Sequence, residues 1–267
     1  MTSIAAAART VLQTADARAK AAASRAMAAA WGAGAVEHAF DVAMPDVPAR
    51  PARPELLPPN RMPKRGKAGS ARSRFALLHA LAHIELNAID LAWDIVGRFG
   101  AGLPRAFVDD WVRVGDDEAR HFVLLDDRLR ELGGSYGDLP AHDGLWQAAS
   151  ATAHDLMARL AVVPQVLEAR GLDVTPAMAA RIKAAGDDRS AEILEIIYRD
   201  EITHVAAGNR WFRWACTSNG SSPVQAFQTL VLAHFRGELK PPFNDLARSQ
   251  AGLTPDFYHS LASRDPA

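Results

Sequence analysis

The fold of this chain is decided by two matching stretches, Asp117-Glu118-Ala119-Arg120-His121 and Asp200-Glu201-Ile202-Thr203-His204. Each stretch contains Glu-x-x-His inside a long run with helical periodicity. Glu85 lies 33 residues before the glutamate of the first stretch, and Glu168 lies 33 residues before that of the second. The sequence therefore carries two equal sets of residues, each with two glutamates and one histidine.

The members of these sets occupy positions where a buried apolar side chain is expected. Leu78, Ala82 and Ile89 recur at the spacing of a helical stripe, and Glu85 fills the one missing position between them. The same holds for the other members: Glu118, His121, Glu168, Glu201 and His204. Because such stripes face the core of a helical bundle, the pattern predicts polar side chains in the interior.

Four long helices are predicted to carry the two sets, at about residues 70–99, 104–132, 143–170 and 187–218. Glu85 and Glu118 are about equally far from the turn between the first two helices, so they should lie at the same depth of an antiparallel pair. In the third helix, Pro164 predicts a kink and Gly171 predicts its end, with a short separate helix near 175–185.

Buried glutamates at these positions indicate bound metal ions. An unpaired carboxylate inside a protein is costly, and two divalent cations would neutralise four of them. The i, i+3 spacing of Glu-x-x-His puts both side chains on one helix face. Carboxylates with one imidazole per ion suit iron or manganese better than zinc. The alternative is a purely structural network in which the carboxylates pair with Arg120, Arg159 and Arg199.

Two aspartates adjoin the sets and are candidates for orienting the histidines. Asp117 and Asp200 each precede a glutamate by one residue. Asp117 would accept a hydrogen bond from His204, and Asp200 from His121, which would fix the orientation of each ring. The alternative is a half-exposed aspartate that pairs with a neighbouring arginine.

The chain divides by composition into three segments. Residues 1–69 are predicted to form an N-terminal helix, near 4–31, and a Pro-rich basic strap that packs on the bundle; residues 70–219 form the bundle; residues 220–267 form a helix and an irregular tail. The strap carries Arg50, Arg53, Arg61, Lys64, Arg65 and Lys67. It reads either as a solvated segment or as a contact for RNA or an acidic partner.

Bulk composition places the chain among ordinary globular proteins. Its 267 residues are 49% hydrophobic and carry a net charge of −1, which argues against a generally nucleic-acid-like surface. The single cysteine, Cys216, fits a reducing compartment. No apolar run approaches the ~20 residues that span a bilayer. These features predict a cytoplasmic protein without a membrane segment, although residues 4–31 also resemble an amphipathic targeting peptide.

At these motifs the sequence resembles the ferritin-like superfamily. The resemblance rests on residues 78–86 (LHALAHIEL), on 116–121 (DDEARH) and on 199–204 (RDEITH). They look like a bacterial ferritin-like family catalogued as a domain of unknown function and distantly related to the tRNA-modifying diiron hydroxylases. The resemblance implies an all-α, ferritin-like four-helix bundle with a diiron centre held by Glu85, Glu118, His121, Glu168, Glu201 and His204.

The function expected from these observations is an oxygen-activating diiron hydroxylase or oxidase. Iron is the expected metal, with manganese or a mixed iron–manganese pair as alternatives. Electrons would come from an external donor, since the chain has no Gly-x-Gly-x-x-Gly fingerprint and no cysteine cluster. The substrate would be a small molecule or tRNA, and a homodimer is a further expectation. The rival function is a ferroxidase or a metal-storage protein without an organic substrate.

Overall fold

Helices make up nearly all of the regular structure in the computed structural model, which describes residues 1–63 and 70–262. The helices are α1 (Ile4–Gln13), α2 (Ala17–Gly32), α3 (Ala71–Phe99), α4 (Arg105–Glu131), α5 (Gly144–Ala151), α6 (Leu156–Val162), a π-helical segment (Val163–Glu168), α7 (Ala169–Ala184), α8 (Asp188–Asn219), α9 (Pro223–His234), α10 (Asp245–Gln250) and α11 (Pro255–Tyr258). Two short strands, Thr2–Ser3 and Val36–Glu37, pair in parallel. The predicted all-α class is confirmed. Lys64, Arg65 and Lys67 of the strap lie outside the described residues.

The chain forms two compact units, Met1–Trp146 and Gln147–Ala267. The first unit is built on α3 and α4, with α1 packed on α3 and α2 packed on α4. Ser70 caps α3 through a reciprocal pair of hydrogen bonds with Ser73. The bounds of both long helices agree with those predicted to within one residue.

The predicted N-terminal helix over 4–31 is two helices in the structure. Asp16 caps α2 by accepting a hydrogen bond from the backbone of Ala19, which separates α2 from α1. Lys20 of α2 is fully buried and forms an ion pair with the equally buried Asp90 of α3. Its ammonium group also donates to the carbonyl of Ala49 at 3.0 Å. This buried network ties α2 and the strap to α3.

The part of the Pro-rich strap that the structure describes packs along the first unit. The backbone N–H of Leu57 donates to the carbonyl of Ala141 at 2.8 Å, and the N–H of Ala141 donates to the backbone carbonyl of Glu55 at 3.0 Å. Arg50 lies 3.2 Å from Asp90 and 3.5 Å from Asp143. One of the basic residues of the strap therefore balances carboxylates of the same unit.

The second unit contains α6, the π-helical segment, α7 and α8, with α9, α10 and α11 packed around them. The predicted end of a helix at Gly171 is wrong, and so is the separate helix near 175–185. α7 runs through both positions to Ala184. Its buried residues Leu172, Thr175, Ala179 and Ile182 recur every three or four positions. Burial of that stripe outweighs the ~1 kcal/mol that a glycine costs inside a helix.

The three-segment division at residues 69/70 and 219/220 stays a prediction.

Within the described residues, α3 is the one helix long and apolar enough to cross a membrane, and 67% of its apolar window is buried inside the protein. A helix in the core of a protein can be as long and as apolar as a membrane span, because its apolar residues pack against other helices.

Candidate metal centre

The first set of residues comes together in the core of the first unit. Glu85 of α3 and Glu118 and His121 of α4 are all buried, with exposed fractions of 3%, 0% and 0%. The Nδ1 atom of His121 lies 3.2 Å from Oε2 of Glu85 and 3.4 Å from Oε2 of Glu118. One ligand atom from each residue lies within 4.8 Å of the other two. Glu85 and Glu118 thus meet across α3 and α4, as their equal distance from the turn implies.

Electrostatics in this cluster favour a cation. Burial and the neighbouring Glu118 raise the pKa of Glu85 to about 8, while His121 opposes the rise. Two carboxyl groups held this close in a dry environment cannot both ionise without a positive partner. The structure therefore contains a buried glutamate–histidine cluster compatible with a metal ion.

The second set lies on two elements of the second unit. Glu201 and His204 are buried on one face of α8, and Nδ1 of His204 lies 3.9 Å from Oε1 of Glu201. Glu168 is half-buried at the end of the π-helical segment, and its Oε2 atom is closed to solvent. The lone glutamates of the two sets therefore lie in different kinds of helix, because Glu85 belongs to an uninterrupted α-helix.

The π-helical segment is the feature that sequence reasoning missed at this site. Pro164 lies inside a turn whose hydrogen bonds span five residues rather than four, a form found often at functional sites. The kink expected at Pro164 stays a prediction. Gly208 of α8 packs against it so closely that a Cβ atom there would lie 2.5 Å from the Pro164 ring. This close contact packs α8 against the segment that carries Glu168.

Asp117, one of the two aspartates adjoining the sets, pairs with a residue of its own helix. Asp117 accepts a hydrogen bond from Arg120 at 3.1 Å, which is the arrangement that the sequence left open as the alternative. The backbone carbonyl of Asp200 accepts from the Thr203 hydroxyl at 2.8 Å. The orientation of His204 by Asp117, and of His121 by Asp200, stays a prediction.

The donors are groups that commonly bind metal ions. Each set offers two carboxylates and one imidazole, and no thiol. The Glu-x-x-His pairs lie on α4 and α8, each at the i, i+3 spacing that directs both side chains to one point. The glutamate and the histidine of each pair could therefore contact the same ion.

A polar network on α3, which the sequence did not reveal, adjoins the first set. His83 lies 2.8 Å from the hydroxyl of Tyr136 and 3.1 Å from the carbonyl of His142. His79 accepts hydrogen bonds from the backbone of Gly137 at 2.9 Å. Burial lowers the pKa of each histidine to about 4, so both rings are neutral.

The fold and the site define an all-α protein with a buried glutamate–histidine cluster compatible with a metal ion. The chain belongs to the family described as "Protein of unknown function (DUF455)", which matches residues 13–259. An uncharacterized protein of Haemophilus influenzae is 44% identical over 215 residues, covering 78% of this chain and 74% of that protein. No solved structure matches the chain.

Proposed function

We propose that this protein is a ferritin-like diiron oxidoreductase. The observation that carries the proposal is the buried cluster of Glu85, Glu118 and His121, with ligand atoms within 4.8 Å of one another. The second set repeats the same residue types at the same sequence spacing. Because a ferritin-like dimetal site uses two such sets, we assign the six residues to a single site with two ions.

The chain would hold and shield the ions. Glu85, Glu118 and His121 would hold one ion, and Glu168, Glu201 and His204 the other. Two iron ions, when bound, would supply the reduction of dioxygen that oxidises or hydroxylates an organic substrate. The apolar residues around the sets would exclude water, and an external donor would supply electrons.

Elemental analysis of the purified, iron-loaded protein tests the ligand assignment. We expect about two iron or manganese atoms per chain in the unchanged protein. The double variant Glu118→Ala/Glu201→Ala should lose them, because it removes one carboxylate from each set. The matched control is Glu131→Ala/Glu192→Ala, which removes exposed glutamates from the same two helices and should keep the metal. Full metal content in the first variant would show that the ligand assignment is wrong.

A second measurement separates oxidation of a substrate from storage of iron. The loaded protein is reduced anaerobically and exposed to dioxygen without added substrate. A diiron oxidoreductase should consume oxygen in proportion to its two ions and stop until it is reduced again. Continued uptake of added Fe(II) far beyond two per chain would instead identify the ferroxidase or storage function.

The class of substrate belongs to the proposal as well. The strap keeps tRNA as a candidate beside small molecules, although Arg50 is engaged with Asp90 and Asp143. Filter binding with bulk tRNA over a range of salt concentrations tests this candidate. Binding that weakens steeply with salt would support it, and no salt-sensitive binding would exclude it.

A further inference from the structure

Two histidines outside the metal-ligand sets lie side by side in the second unit. His154 belongs to the turn between α5 and α6, and His234 is the last residue of α9. Their ring centres are 5.6 Å apart, and the ring planes are inclined by 54°. His154 is exposed and His234 is half-buried, so solvent reaches both residues. Because imidazole is the commonest metal ligand among side chains, a close, accessible pair is a candidate metal site.

The separation of the two rings fits a shared metal ion. A zinc–nitrogen bond of about 2.1 Å places the ion ~3.2 Å from the centre of a ligating ring. Two rings on one tetrahedral ion therefore have centres roughly 5 Å apart. The observed 5.6 Å is close to that value, so small rotations of the two side chains would bring a nitrogen of each ring to one ion.

The ring nitrogens of this pair are available to an ion. Neither ring has a hydrogen bond or an ion pair with another residue in the part of the chain that the structure describes. No such contact fixes which nitrogen carries the proton, so either nitrogen can present its lone pair. His83, by comparison, has both ring nitrogens within hydrogen-bond distance of partners in the first unit.

The backbone that carries the two rings is held by buried contacts. The side chain of Arg159 is buried and donates to the hydroxyl of Thr152 at 3.0 Å and to the carbonyl of Ala149 at 2.6 Å. These bonds fix the turn that contains His154. α9, which ends at His234, packs directly on α6. Rings on fixed supports lose less entropy when they bind an ion.

Charges near the pair are compatible with a cation. The C-terminal end of a helix carries a partial negative charge, and His234 occupies that end of α9. The N-terminal end of α6, beside His154, has the opposite sign, but the carboxylate of Asp155 caps it and offsets that charge. Beyond α9, the exposed Arg236 and Glu238 carry opposite charges. The surroundings therefore carry no net positive charge that would repel an ion.

We propose that His154 and His234 form a separate metal site that binds one zinc or copper ion, with water as the remaining ligands. Two imidazoles favour these ions over iron and manganese, because Fe(II) and Mn(II) bind nitrogen ligands more weakly. The bound ion would tie the turn before α6 to the end of α9. The inference uses no residue of the two metal-ligand sets, so it is independent of the proposed diiron function.

Calorimetric titration of the full-length protein with zinc chloride tests the proposal. His154→Gln and His234→Gln each remove one of the two protein ligands and should weaken zinc binding at this site at least about tenfold. The matched control is His38→Gln, which removes an exposed histidine whose ring contacts Trp31 and Phe40 instead of a second histidine. It should bind zinc as the unchanged protein does. Zinc that enters the glutamate–histidine sets is common to all four proteins and cancels in the comparison. Equal zinc binding by all four would overturn the proposal.

Electron paramagnetic resonance of added Cu(II) identifies the ligands. Copper at the proposed site should show coupling to two imidazole nitrogens in the unchanged protein, and to one in His154→Gln or His234→Gln. Each glutamate–histidine set contains a single imidazole, so copper bound by one set would show one such nitrogen. A single coupled nitrogen in the unchanged protein, or a spectrum that neither variant changes, would overturn the assignment.

Discussion

Glu85 illustrates what a single sequence can predict at the scale of one residue. A carboxylate in a stripe of apolar residues is recognisable because helical periodicity fixes which side chains face inward. The ion pair between Lys20 and Asp90 could not be predicted in this way. The two residues are 70 positions apart, and neither lies in a local pattern that refers to the other. Only the packing of α2 on α3 brings them together.

His79 gives a prediction for the dependence of stability on pH. Its ring accepts backbone hydrogen bonds, and burial lowers its pKa from 6.5 to about 4. Between these pH values the unfolded chain binds more protons than the folded one, so the stability present above pH 6.5 falls as the pH drops towards 4. The variant His79→Gln keeps an acceptor and loses the titration. Its free energy of unfolding, measured by urea at several pH values, should therefore fall less over this window.

The test for His79 depends on a comparison of slopes. Carboxylates elsewhere titrate in both proteins, so their contribution cancels in the difference between the two curves. Parallel curves for the unchanged protein and His79→Gln would mean that the ring gains its proton without loss of stability.

At the scale of helices, prediction succeeds where periodicity and capping agree and fails where packing overrides them. The bounds of α3 and α4 follow from the cap at Ser70, the turn after Phe99 and unbroken stripes. The third helical region contains a proline and a glycine, which locally predict a kink and an end. The structure has a π-helical segment at the proline and a continuous α7 through the glycine, and both pack on α8. The predicted end is wrong, and the kink stays untested. No local signal distinguishes a proline that kinks a helix from one inside a π turn.

Gly208 and Gly171 give a matched pair of predictions for helix packing. Gly208→Ala should lower the free energy of unfolding by about 1–3 kcal/mol, because the added methyl group would overlap the ring of Pro164. Gly171→Ala should raise it by about 0.4–1 kcal/mol, because no atom lies within 4 Å of the added group. Urea denaturation of both variants measures the two effects. Equal effects of the two substitutions would show that Gly208 is not held against the π-helical segment.

For the molecule as a whole, bound metal should act on the thermal stability of the chain. An ion that binds only the folded protein stabilises it in proportion to the logarithm of its concentration. Anaerobic addition of Fe(II) should therefore raise Tm by several degrees in the unchanged protein, as measured by differential scanning calorimetry. The double variant Glu118→Ala/Glu201→Ala should show little or no rise. A rise of equal size in both proteins would mean that the metal acts at some other place.

The unequal burial of the two sets has a consequence for how the proposed metal ions would enter and leave. Glu118 and His121 are fully closed to solvent, whereas Glu168 is half-buried and Glu201 is 8% exposed. Water and chelators reach an exposed ligand sooner than a closed one. Ions held by the second set should therefore exchange quickly, and ions held by the first set slowly. Loss of metal to a chelator would then follow two separate rates, even though the sequence presents the sets as equals.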